Sequence, residues 1–176
     1  NYQPAQPIAF SHEIHAGING VDCNYCHTSA RHSKHSGIPS ANVCMNCHTY
    51  ISEGSKYGTK EIAKIYEAVG FDPDSRQYIE GYEQKPIEWV RIHNLPDHAY
   101  FNHSQHVVAG GLECQECHGP VEEMEVLYQY SELTMGWCIE CHRDTEVKME
   151  GNNYYTHLHE QLKEKYKGEK ITVEKI

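Results

Sequence analysis

A mainly α-helical fold with much irregular chain, built of two repeated modules, is what this sequence predicts. Three observations predict it. All eight cysteines of the 176 residues fall in four Cys-x-x-Cys-His units. A second copy of the first half recurs at an offset of 91 residues. The apolar content is too low for an ordinary core.

The four units are Cys23-Asn-Tyr-Cys26-His27, Cys44-Met-Asn-Cys47-His48, Cys114-Gln-Glu-Cys117-His118 and Cys138-Ile-Glu-Cys141-His142. This is the attachment signature of a c-type haem, in which two thiols anchor the vinyl groups and the adjacent histidine ligates the iron. Zinc is the competing reading. Seventeen residues separate Cys26 from Cys44 and twenty separate Cys117 from Cys138, which suits two four-thiolate zinc sites. The histidines decide between them. Histidine is 14 of 176 residues, yet it follows the second cysteine all four times, and a four-thiolate zinc site has no use for it. A disulfide framework is the third reading, and strained Cys-x-x-Cys bridges make a poor scaffold. The sequence therefore predicts four covalently bound haems c, with His27, His48, His118 and His142 as proximal iron ligands.

The second observation is the repeat. Phe10-Ser-His12-Glu-Ile-His15 matches Phe101-Asn-His103-Ser-Gln-His106, and Gly20-Val-Asp-Cys23 matches Gly111-Leu-Glu-Cys114, both at an offset of 91. Cys44 maps to Cys138 at an offset of 94. Each module reads Phe-x-His-x-x-His, a haem motif, a loop and a second haem motif. The predicted organisation is a di-haem module over 1–50, a connecting segment over 51–98, a second di-haem module over 99–144, and a C-terminal helix and tail over 145–176. Histidines three apart on a helical turn project the same way. His12, His15, His103 and His106 are thus the favoured distal ligands. His35, His93, His98 and His157 are further candidates, whereas His32 and His159 read as surface residues. Met135 is the alternative axial ligand, and a packing methionine is the better reading of it.

The third observation is composition. Only 39% of residues are hydrophobic, and the figure is unchanged when glycine replaces tyrosine in the count, there being 13 of each. Globular domains run at roughly 45–50% on the latter basis. Haem supplies the missing surface. Burying about 400 Å² of porphyrin contributes ~10 kcal/mol each at about 25 cal/mol/Å². The chain without haem is expected to be largely unfolded. Tyrosine outnumbers phenylalanine 13 to 3. It can lie on a porphyrin and turn its hydroxyl to water.

Between the motifs, Lys60 to Val69 has Ile62, Ile65, Tyr66 and Val69 at helical spacing, ended by Gly70 and Pro73. Residues 71–86 read as a loop and Ile87 to Ile92 as a short strand or extended segment, closed by Pro96. Asn153 to Tyr166 reads as a second helix, and Lys163 to Lys170 as a solvated end.

The net charge is −10. It disfavours nucleic acid and favours a basic docking surface on a redox partner. No run is long and apolar enough for a transmembrane helix, and no signal peptide is present. The chain begins at Asn1, so a leader or anchor removed upstream and a periplasmic location are expected.

The run Pro7-Ile-Ala-Phe-Ser-His12-Glu-Ile-His15-Ala-Gly resembles multihaem cytochromes of the c3/c7 type. Two other stretches are more particular: Trp89-Val-Arg-Ile-His93-Asn-Leu-Pro-Asp-His98-Ala-Tyr-Phe101-Asn-His103-Ser-Gln-His106, and Met135-Gly-Trp-Cys138-Ile-Glu-Cys141-His142-Arg. Together they resemble the pentahaem cytochrome subunit of bacterial alternative complex III, over nearly the whole chain. The resemblance implies an electron-transfer subunit with no turnover site of its own. It implies partnership with an iron–sulfur, molybdopterin-like subunit and with membrane subunits of a quinol-oxidising respiratory complex. A monohaem cytochrome c or terminal oxidase would be the acceptor. It also implies attachment to the periplasmic side of the membrane, through other subunits or an N-terminal anchor. One departure stands out: the family carries five motifs and this chain four. Either a fifth lies beyond residue 176, with His93 or His157 as its distal ligand, or the protein is a true tetrahaem relative. Two rival functions remain: a free periplasmic tetrahaem shuttle, and a reductase with an open iron. The histidine surplus argues against the second.

Overall fold

The ten-residue helix Lys60–Val69 organises the first half of the molecule. Its apolar residues recur at i, i+3, i+4 and i+7, so Ile62, Ile65, Tyr66 and Val69 form one buried stripe. Burying four such side chains is worth roughly 6–12 kcal/mol at about 1.5–3 kcal/mol each, an upper figure because the unfolded chain already hides some of this surface. The helix stops where expected, at Gly70, whose φ of 70° is left-handed and open to glycine without the Cβ penalty.

This computed structural model describes residues 2–144 and 153–167. Within them the helices are α1 (Cys23–Cys26), α2 (Ala41–His48), α3 (Lys60–Val69), α4 (Cys114–His118), α5 (Met135–Asp144) and α6 (Asn153–Lys165). Two π-helical turns, Glu13–Ile18 and Gln105–Ala109, and a 3-10 turn, Val121–Glu123, complete the helical part. The rest is largely irregular chain. This is a small, mainly α-helical protein whose irregular segments suit a multihaem cytochrome c. The tail expected from Lys163 to Lys170 lies partly outside the described residues.

The main core lies where α2, α3 and the N-terminal segment meet. Ile8, Met45, Ile62, Ile65, Tyr66, Val69 and Phe71 form it, with Ala41, Cys44, Ile87 and Trp89 packed alongside. Polar ties align these pieces. The Ala9 N–H donates to Glu61 Oε2 at 2.8 Å, and Lys64 Nζ bonds both Glu61 and the Pro7 carbonyl. The Tyr66 hydroxyl donates to the His48 carbonyl at 2.7 Å, joining the core helix to the end of α2.

One detail of the connecting segment differs from the sequence expectation. The stretch read as a loop contains a two-stranded antiparallel pair, β1 (Phe71–Asp72) and β2 (Gln77–Tyr78). Asp72 builds its turn, accepting from Asp74 N and Ser75 Oγ. Of the two readings of 87–92, the strand is not formed, which leaves the extended segment. The Val90 N–H donates to Gln6 Oε1 and its carbonyl accepts from Gln6 Nε2, both at 2.9 Å. One glutamine side chain does there what a neighbouring strand would do.

The two halves are laced together. Glu13 N–H donates to the Met124 carbonyl, Gln129 N–H to that of Tyr2, and Gln3 Nε2 to that of Val126. Lys56 and Tyr57 both reach Glu125.

Candidate functional site

The two cysteines of each Cys-x-x-Cys-His unit lie within one helix, which is the local reason the motif works. Residues i and i+3 of a helix share a face, so the two thiols of each pair point together. Asp22 caps α1 by accepting the Asn24 N–H at 2.7 Å, a bond that also holds the Asp22 carboxyl below the usual carboxylate range. The approach to the first and third motifs is the same in both halves. A π-helical turn runs into Gly20 or Gly111, with φ of 64° and 65°, and then the short cysteine helix begins. The residue after each glycine donates back to the first turn: Val21 N–H to the His15 carbonyl at 2.9 Å, and Leu112 N–H to that of His106 at 3.1 Å.

All eight cysteines are free of disulfides. Several of them lie near cysteines of other motifs. Cys26 senses Cys47, and Cys44 senses Cys26. Cys23 meets Cys114 across the two halves. Cys117 senses Cys141, Cys138 and Cys114. Burial, then these neighbours, pushes the Cys117 thiol up to about 11. Among the described residues no three His, Cys, Asp or Glu side chains are grouped to hold a bare metal ion.

The histidines pair across space at a recurring distance. The ring centres of His15 and His48 are 6.2 Å apart, those of His106 and His142 6.0 Å, and those of His103 and His118 6.4 Å with planes within 1° of parallel. His12 feels the charge of His27. A metal–nitrogen bond is about 2.0 Å and an imidazole centre lies about 1.1 Å behind its nitrogen, so two trans imidazoles on one iron have centres ~6.2 Å apart. The observed separations fit that group.

Hydrogen bonds prepare these rings as ligands. Nδ1 faces a backbone carbonyl in five of them: His15 to Ser11 at 2.8 Å, His27 to Gly37 at 2.7 Å, His48 to Ile51 at 2.8 Å, His103 to Lys34 at 2.9 Å and His106 to Asn102 at 2.9 Å. A carbonyl only accepts, so the proton sits on Nδ1 and the Nε2 lone pair is left for iron. His12 differs, its Nδ1 being buried without a partner. Burial first, then the neighbouring His27, holds His12 at about 4. Burial, then His93, holds His118 at about 3. Both are therefore neutral and able to ligate. Phe10 stacks on His15 at 4.3 Å and meets His12 edge-on at 4.9 Å. Phe101 repeats this with His106 at 4.4 Å and His103 at 4.8 Å.

The remaining candidates lie elsewhere. His35, His98 and His157 are exposed, as is His32. His157 Nε2 bonds Gln161 within α6, and the side chain of His159 lies outside the described set. Met135 opens α5 with 40% of its surface exposed. His93 is half-buried, and its Nε2 lies 3.1 Å from His118 Nδ1. Sequence reasoning ranked His93 only as a possible ligand and missed this contact. Its 25-residue separation from His118 matches no helical or strand period.

A family model described as the class III cytochrome c family matches residues 79–169. The chain is also 26% identical, over 155 residues, to the menaquinone reductase, multiheme cytochrome c subunit, of Nitratidesulfovibrio vulgaris. That match covers 87% of this chain and spans 59% of the relative's length. The cysteine spacing seen here is consistent with covalent attachment of haem c.

Proposed function

We propose that this chain, which belongs to the class III cytochrome c family, holds four haems c and serves as an electron wire in a quinone-linked respiratory complex. Membership of a multihaem cytochrome family supports electron transfer rather than substrate turnover. One observation carries the count. Histidine pairs about 6 Å apart recur at equivalent places in the two halves, as two di-haem modules would require. The ligand pairs are then His27 with His12, His48 with His15, His118 with His103 and His142 with His106. Each haem, when bound, supplies one-electron iron chemistry. The chain's own residues orient the ligands through Nδ1, exclude water at the buried rings and set each potential through burial and hydrogen bonding. The contact between Cys23 and Cys114 would bring the first and third haem motifs together where the halves meet.

The finer reading is a subunit of alternative complex III. Electrons would arrive from an iron–sulfur, molybdopterin-like subunit and leave toward a monohaem cytochrome c or terminal oxidase. Residence on the periplasmic side would come through other subunits or an anchor. No helix among the described residues is long and apolar enough to cross a membrane. The relative, a menaquinone reductase subunit, favours a second direction, with electrons running toward a quinone. A free tetrahaem shuttle is the remaining alternative.

The test is a pyridine haemochrome assay with intact mass on the protein purified from an exporting, haem-maturing host. Four covalent haems per chain are expected. A chain with no covalent haem, or with zinc on the cysteines, overturns the proposal. Purification with membrane and iron–sulfur subunits supports the complex, and purification as a lone monomer supports the shuttle.

A further inference from the structure

His93 stands apart from the ligand pairs. Its ring centre is 4.2 Å from that of His118 and the two planes are 86° apart. Two imidazoles trans on one iron would have centres ~6.2 Å apart and nitrogens about 4.0 Å apart. The 3.1 Å contact between His93 Nε2 and His118 Nδ1 is instead a hydrogen bond. His118 already has a trans partner at ligand distance in His103.

The protons follow. His118 Nε2 is needed for iron, so its proton sits on Nδ1. His93 Nε2 must then be the acceptor, and the proton of His93 must sit on Nδ1. The two halves differ here. At the repeat offset of 91, His93 corresponds to Tyr2, which is 49% exposed. The equivalent proximal ligand, His27, donates to the Gly37 carbonyl. An imidazole nitrogen is a much stronger proton acceptor than an amide carbonyl. The segment holding His93 is itself anchored: Ile92 is buried, Arg91 Nε donates to the His93 carbonyl at 2.9 Å, and Asn94 Nδ2 to that of Ile92 at 3.1 Å.

We propose that His93 is a positioning residue for His118, accepting its Nδ1 proton and thereby lowering the potential of the haem held by Cys114 and Cys117 relative to its repeat counterpart. The inference rests on the four-haem reading above. A stronger acceptor gives His118 more anionic character, and an electron-rich ligand favours ferric over ferrous iron. Near-duplicate modules would otherwise give their equivalent haems similar potentials. His93 makes the two haems at the junction of the halves unequal.

The experiment is a spectroelectrochemical titration of full-length holoprotein, wild type against His93→Phe and His93→Gln, with EPR and a haem count on the same samples. His93→Phe removes the acceptor and should raise one midpoint potential. The oxidised-to-reduced ratio at fixed potential should fall roughly tenfold at that haem, about 59 mV for one electron. His93→Gln offers a carbonyl in its place and should shift the same haem less. All four haems should stay low-spin. If His93→Phe does not mature, His93→Gln decides alone. Four haems with unchanged potentials sink the role of His93 and leave the haem reading intact. A new high-spin signal would make His93 an iron ligand and also overturn it. A wild-type chain without haem sinks both.

Discussion

Replacing His15 by alanine should turn one coordinately saturated iron in four into one that binds carbon monoxide. The magnitude is an integer. His15 lies 6.2 Å from His48, centre to centre, and is the ring placed to complete that iron. His12 is assigned instead to His27, whose repeat counterpart His118 faces His103. The change also removes the stacking contact with Phe10 and the bond from Nδ1 to the Ser11 carbonyl. An aromatic pair and a hydrogen bond are each worth about 0.5–1.5 kcal/mol, so the local loss is roughly 1–3 kcal/mol. The seven-residue core that includes Ile8, Met45 and α3 is untouched, and the protein should remain folded. The assay is titration of the reduced holoprotein with carbon monoxide, read as moles bound per mole of chain. Wild type should bind none and His15→Ala one. His106→Ala should also bind one, because His106 faces His142 at 6.0 Å with Phe101 stacked on it. The double variant should bind two. No binding by His15→Ala would refute the pairing, and one or more carbon monoxide per wild-type chain would refute bis-histidine ligation throughout.

Replacing both Cys114 and Cys117 by alanine should reduce the covalent haem count from four to three, measured by intact mass, without affecting the haems of the first half. Gly70→Ala should destabilise the protein by roughly 2–3 kcal/mol in urea unfolding with an unchanged m value. The left-handed φ costs about 1–2 kcal/mol. A Cβ would also run into the Tyr82 ring and break its bond to the Glu67 carbonyl, worth about 1 kcal/mol. A loss below about 0.5 kcal/mol would contradict this account. Glu61→Gln tests a pH dependence. The Lys64 ammonium, then the Ala9 N–H, hold the Glu61 carboxyl below its ordinary value. A carboxyl depressed in the folded state stabilises above its unfolded value and loses that contribution as pH falls through its folded value. Wild type should therefore exceed Glu61→Gln in urea midpoint at neutral pH, and the gap should close on acidification below about pH 4. A gap of the same size in acid would assign the effect to packing.

What could be read along the chain was whatever depends on neighbours a few residues apart. Helix α3 follows from the stripe at Ile62, Ile65, Tyr66 and Val69 and the glycine behind it, and it ends at the expected residue. The hairpin at Phe71–Tyr78 escaped notice because two-residue strands are too short to show alternation, and its turn depends on the Asp72 side chain. The segment 87–92 stayed open between strand and extended chain for the opposite reason. Its apolar residues look strand-like, but a strand needs a backbone partner, and Gln6, more than eighty residues away, supplied side-chain bonds instead. The site divides the same way. Which histidines are candidate ligands was visible in two local motifs. Which histidine faces which depends on where the halves lie in space, and so do the carbonyl that holds His103, contributed by Lys34 of the other half, and the acceptor His93 behind His118. Sequence spacing constrains groups joined by a few bonds; the meeting of groups dozens of residues apart is settled only by packing.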